Sequence, residues 1–300
     1  MGKKSRLKKL RRQSIATAQT PIKGIIRKQF GKGTSDPFIV RMMVQIFDIR
    51  DFLFKSDSER RAFDLLYNPV FQNLHEAQHV KDKFIQTFEN YKKRTLKGKG
   101  AKLDKGLIRV DDPIDFDLNI FFKDFFIRGH ISLECLKKLT DSIFGINIEF
   151  LFQTDKKLEE SIHRFLAMHP QGIFQYFIDM LRGERKQWFS TFIDMRIKIE
   201  HHGFTLPEVQ YIPNKDGLTP ILPKMGSKDM IETLNLIWEN LFEFCEDVVV
   251  MMFATKIKGE DIFAIQHIPE HLRDPHKPIK YKISLKPPPE LLSKMEFPNK

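Results

Sequence analysis

Apolar positions recur at helical spacing along most of the chain. Ser35-Asp36-Pro37 places a capping residue before a first-turn proline, and Phe38, Val40, Met43, Val44, Phe47, Phe52 and Phe54 follow in a mostly helical rhythm. Asn68-Pro69 is expected to start a second long helix through Val70, Leu74, Ala77, Phe84, Ile85 and Phe88, so residues 35–95 predict a helical hairpin. Residues 96–112 lose the apolar period, and Lys97-Gly98-Lys99-Gly100 reads as a mobile basic linker. The pattern resumes after Asp111-Asp112-Pro113 with Ile120, Phe121, Phe125, Ile127, Ile131, Leu133, Leu136, Leu139 and Phe144, and Gly145 closes that helix. A shorter helix from about Lys156 to Met168 stops at His169-Pro170. Another runs from Gln171 through Phe174, Phe177, Met180 and Leu181, breaks at Gly183, and continues from Trp188 to Ile199 before Gly203 and Pro207.

The period then changes. Val209 to Ile212 and Leu218 to Leu222 flank a turn ending in Asp216-Gly217, the signature of a small β-hairpin. Ser227 is expected to cap a last long helix, Met230 to about Lys256, and residues 259–300, with Pro287-Pro288-Pro289, read as an extended C-terminal arm. These elements predict an all-α fold with one inserted hairpin. Residues 1–34 form a basic tail, 35–95 a helical hairpin, 96–112 a linker and 113–258 a helical bundle. Twenty-eight phenylalanines against five tyrosines imply packing through dry aromatic surface.

Charge changes the picture only once it is located. The net charge is +11, of which +7 lies in Lys3, Lys4, Arg6, Lys8, Lys9, Arg11 and Arg12, and +6 in residues 92–105, so the rest carries about −2. Those basic stretches suit a phosphate backbone, or keep the protein in solution; a broad basic face on the bundle is not implied. The longest apolar run, Val248 to Ala254, is far short of a membrane span, and the start of the sequence lacks an apolar signal core. Two cysteines, Cys135 and Cys245, provide no disulfide framework and no zinc cluster. A cytoplasmic setting, away from membranes, is the expectation.

The segment from Gln187 to Gly203 carries the most chemistry. On a helical wheel Trp188, Phe192, Met195 and Ile199 form a buried stripe, which His202 is expected to continue. Arg196 falls inside the apolar arc, where a guanidinium must reach solvent, pair with an acid or line a cleft; Glu200, four residues on, could simply pair with it. An arginine, four residues, a histidine at a helix end, and a Phe-rich bundle around them resemble the HEPN superfamily of ribonucleases and ribonuclease-derived domains. The resemblance covers about residues 113–258 and departs from active members at Ile197, where a polar residue usually follows the arginine. It implies metal-independent RNA cleavage, with no cofactor, at a site shared by two protomers of a homodimer. Arg196 would be the phosphate clamp and His201 or His202 the acid/base. A toxin or defence role with a cognate antitoxin follows from the same likeness, and the alternative it leaves open is a non-catalytic RNA-binding or protein-interaction module.

A competing motif is His75-Glu76-Ala77-Gln78-His79, whose histidines at i and i+4 could hold zinc while Glu76 activates water. The charged continuation Val80-Lys81-Asp82-Lys83 and the missing third histidine make a metalloprotease the remote alternative, with a chance match on a solvated helix face ahead of it. Asp115-Phe116-Asp117 is better read as helix-start acids than as a nucleotidyltransferase pair.

Overall fold

In a computed structural model, residues 35–149, 155–170, 172–215, 217–226, 228–258 and 262–286 are described. Helix α1 runs as Pro37–Ile39, a π-helical segment Val40–Gln45 and Ile46–Leu53; the Asp36 carboxylate caps it by accepting from Phe38 N at 3.0 Å. Helix α2 is a single helix, Asp57–Thr95. Its start is a reciprocal capping box between Ser56 and Glu59, which corrects the expected start at Asn68-Pro69. Pro69 is tolerated inside the helix because the turn it interrupts faces outward: Leu65, whose carbonyl loses its donor, is 75% exposed.

The stretch 96–112, expected to be a mobile linker, is a β-hairpin: β1 (Ala101–Asp104) pairs antiparallel with β2 (Leu107–Val110) around Lys105-Gly106. Both turn residues have positive φ, 49° and 81°, the geometry of a tight type I′-like turn. Helix α3 (Ile114–Phe144) follows and ends as expected at Gly145, which takes the left-handed conformation. Asp115 and Asp117 lie in its first turn; the Asp115 carboxylate accepts from Val209 N at 2.7 Å and Asn119 Oδ1 from Leu206 N at 2.9 Å, tying a distant loop to the start of α3.

Helix α4 spans Asp155–Met168. Helix α5 comprises Gly172–Glu184, a second π segment Arg185–Phe189, and Ser190–His201, so the expected break at Gly183 is a widened turn in a continuous helix. The predicted hairpin is present as β3 (Gln210–Asn214) and β4 (Gly217–Ile221); Asp216 lies outside the described residues. A short pair, β5 (Lys224–Met225) and β6 (Lys228–Asp229), leads into α6 (Met230–Ala254). Its cap is Asp229, accepting from Ile231 N at 2.8 Å, while Ser227 lies outside the described residues. In place of an extended arm, residues 263–285 form a further hairpin, β7 (Phe263–His267) with β8 (Tyr281–Leu285), that packs back on the helices.

The molecule is mostly helical, with small antiparallel strand pairs at its margins. One hydrophobic core joins α1 and α2 to the later helices, with Phe63, Tyr67, Phe84, Phe122, Phe125, Phe126, Phe192 and Phe253 all in it, so residues 96–112 do not separate two cores. The apolar run at the end of α6 belongs to it: Val248, Val249, Val250, Met252 and Phe253 are all buried. Among the described residues, no helix is long and apolar enough to cross a membrane. Gly129 of α3 brings α5 close, since a Cβ there would sit 2.9 Å from the Phe192 ring and 2.9 Å from Leu241. The following residue, His130, is thereby set beside Arg196, one turn beyond Phe192.

Candidate functional site

The end of α5 is shaped by its cap. Gly203 adopts φ 62°, and both His202 N and Phe204 N donate to Lys198 O at 3.1 Å, while the Phe204 ring packs on Phe122 with centroids 5.8 Å apart. His201 is the last helical residue. Upstream, Trp188, Phe189, Phe192 and Ile199 are buried as expected and Met195 is half-buried. His202 is exposed, which corrects its expected place on the buried stripe: the helix ends before the stripe reaches it.

Arg196 and Glu200 form the i,i+4 pair that their spacing allows, Nη2 to Oε2 at 2.6 Å, with side chains 23% and 28% exposed. His201 Nε2 lies 4.0 Å from the same Glu200 oxygen, with a 60% exposed side chain. The structure thus gathers Arg196 and His201 around one carboxylate oxygen at the helix end. Arg196 Nε is buried and has no hydrogen-bond partner among the described residues, so its pairing is incomplete. On the facing helix, burial and then the nearby Arg196 charge lower the pKa of His130 and favour its neutral form; Glu134 and Glu200 work in the opposite direction. Sequence reasoning missed His130, although His130, Glu134 and Lys137 break the apolar pattern of α3 along one side.

The zinc-like motif is arranged differently. His75, Glu76, His79 and Val80 line a cavity of about 360 Å³ with Asp124 and Arg128. Glu76 is held by Arg128 at 2.7 Å, and the His75 ring stacks with Phe38 and Phe71. A guanidinium next to the intended base disfavours a dication, and no group of three His, Cys, Asp or Glu among the described residues could hold a metal. The seven N-terminal cations, Lys3, Lys4, Arg6, Lys8, Lys9, Arg11 and Arg12, lie outside the described residues.

A second polar cluster, absent from the sequence reading, is buried where α1, α5, α6 and β8 meet. Arg41, on the first π segment, donates from Nε to the Glu246 carboxylate at 2.9 and 3.1 Å and also pairs with it through Nη2, while its guanidinium lies 4.3 Å from the Phe242 ring centroid. Gln45 Nε2 donates to Glu246 Oε1 at 2.7 Å, and Gln45 Oε1 accepts from the backbone N of Lys280 and of Tyr281 at 2.6 and 2.7 Å. Lys280 Nζ donates to Asp247 at 2.7 Å. Glu184 and Trp188, at the second π segment, hydrogen-bond to each other; burial, followed by the neighbouring Asp247 and Glu243 charges, raises the Glu184 pKa. No family model matches the chain, and neither does any curated protein or solved structure.

Proposed function

We propose that this chain is a HEPN-like protein acting on RNA as a metal-independent endoribonuclease. Arg196 holds the scissile phosphate, and His201 moves the proton. The supporting observation is the approach of Arg196 Nη2 and His201 Nε2 to one Glu200 oxygen, at 2.6 and 4.0 Å, on an open helix end. That carboxylate oxygen stands where a phosphoryl oxygen would, between a guanidinium that stabilises gathering negative charge and an imidazole that takes the 2′-OH proton or protonates the 5′ oxygen. Substrate phosphate would displace Glu200, an exchange that costs only a helix-surface pair. The same reading places two protomers together to complete the site, within a cytoplasmic toxin or defence effector that a cognate antitoxin restrains.

The test is cleavage of RNA by purified protein in EDTA, leaving 2′,3′-cyclic phosphate ends, with DNA left uncut because it lacks the nucleophile. Arg196→Ala and His201→Ala should each abolish cutting while the helical content stays intact. Undiminished cleavage in both variants sinks the reading. One observation favours the second reading, a non-catalytic RNA-binding or protein-interaction module: Glu200 already neutralises Arg196, and the next residue is the half-buried, apolar Ile197. RNA bound without cleavage by the wild type would decide for it.

A further inference from the structure

The hairpin β1–β2 is a rigid base carrying an open, charged tip. Asp111 N donates to Gly100 O at 2.8 Å, Arg94 pairs with Asp112 at 3.0 Å, Ala101 is buried, and β1 lies against β4. Beyond this base, every residue from Lys102 to Val110 is exposed. The register puts Lys102 directly opposite Arg109, so two cations share one face, an arrangement that costs stability unless an anion lies near. Only Asp111 answers them among the described residues, 2.9 Å from Arg109 Nε and 3.9 Å from Lys102 Nζ. Lys97 and Lys99 lie just before β1, and the turn adds Lys105, the one described non-glycine residue at positive φ. A lysine at φ 49°, a conformation that suits glycine or asparagine, at the exposed turn of this hairpin is strain of the kind found at functional sites.

From these features we infer that the β1–β2 hairpin is a phosphate-gripping finger for RNA. Lys97, Lys99, Lys102, Lys105 and Arg109 contact the backbone, and Leu107, which shares the face of Lys102 and Arg109 and is 74% exposed, rests against a sugar. The inference rests on the reading of this chain as an RNA-acting protein and names where that RNA is held outside the Arg196 site. The hairpin leads straight into Ile114, the start of α3, and His130 beside Arg196 lies 16 residues further along the same helix, about 24 Å at 1.5 Å per residue. A short single strand reaches from one to the other. The finger carries no aromatic side chain, so its grip is on phosphates and is indifferent to base sequence. An anionic membrane is the poorer fit, because the tip is Asp104-Lys105-Gly106 and inserting it would bury two charges.

The experiment uses the full chain carrying Arg196→Ala, so that the probe survives, and measures binding of a short unstructured RNA oligonucleotide against salt. Combined Lys99→Gln, Lys102→Gln, Lys105→Gln and Arg109→Gln should weaken binding more than tenfold and flatten the log–log salt slope by about 0.7 per cation removed. Lys105→Gly, which suits the turn and preserves the hairpin, should flatten it by about 0.7 alone. An unchanged slope in both variants overturns the inference. So does loss of binding to phosphatidylserine vesicles with RNA binding retained. RNA that binds through the finger while the wild type cuts nothing supports the finger and sinks only the nuclease.

Discussion

Two arginines, each set among the apolar residues of a helix, end up in opposite situations. Arg41 is 6% exposed, and its guanidinium is held by Glu246, Glu243 and the Phe242 ring, partners more than 200 residues away in the chain. Arg196 is more exposed, pairs with Glu200 on its own helix, and keeps a buried Nε without a hydrogen bond among the described residues. Glu246 is fully buried and Glu200 is not. The first arginine ties α1 to the remote helix α6 through a buried carboxylate; the second can exchange its partner for an external anion at little cost. Ion pairing therefore identifies neither as functional by itself. The number and sequence distance of the partners separate them.

The largest test of that contrast is Glu246→Ala. It leaves the Arg41 guanidinium buried without its main counter-charge and strands Gln45 Nε2, so the expected loss is about 3–5 kcal/mol in denaturant unfolding. A loss below about 1 kcal/mol would show that water or Glu243 rescues Arg41, and the contrast would fail. Arg196→Ala is the counterpart. Its pair is worth only about 0.2–0.5 kcal/mol to the fold, whereas loss of a transition-state clamp costs about a hundred- to a thousandfold in RNA cleavage. If Arg196→Ala destabilises the protein as much as Glu246→Ala does, Arg196 is structural and the nuclease reading loses its clamp.

Local signals in the sequence explain which parts were legible. Gly145, the Trp188 to Ile199 stripe and the β3–β4 hairpin were visible because each depends on neighbours a few residues away. The Arg196–Glu200 pair was visible for the same reason. The start of α2 was missed because Pro69 looked like a boundary, although the Ser56/Glu59 box stood upstream. The β1–β2 hairpin escaped notice because Lys105 occupies a turn position where asparagine or glycine is the usual signal. Both π segments, and the Arg41 cluster beside them, depend on tertiary partners that no periodicity encodes. His130 was invisible for the same reason, since only the close approach at Gly129 sets it beside Arg196.

His130 sharpens the comparison through pH. Burial and Arg196 lower its pKa below the ordinary 6.5, so between that value and the folded-state one the unfolded chain binds more protons than the native protein. Its contribution to stability is therefore complete above about pH 6.5 and declines as pH falls below it. His130→Gln should flatten that part of the stability profile, measured by urea unfolding at a series of pH values. Arg196→Ala should flatten it in part, by removing one cause and leaving burial and the weaker influence of Lys137. An unaltered profile in Arg196→Ala would mean that the guanidinium is screened from His130, and that the α3–α5 face is less coupled than its geometry implies.

The smallest effect expected is at His202. The side chain is exposed, and the residue's contribution to the helix end is the backbone donation from His202 N to Lys198 O at 3.1 Å, which survives a change of side chain. His202→Ala should stay within about 0.5 kcal/mol of wild type in stability, as exposed substitutions away from a special backbone site do. The left-handed residue that closes the helix is Gly203, so the cap does not depend on His202 either. Cleavage should also be nearly unchanged, because His201, and not His202, is the histidine drawn towards Glu200 and Arg196. Single-turnover cleavage by His201→Ala and His202→Ala, side by side, reads this directly. Equal losses in the two would mean that the helix end is remodelled when RNA binds, and a loss confined to His202→Ala would move the acid/base role one residue along the chain.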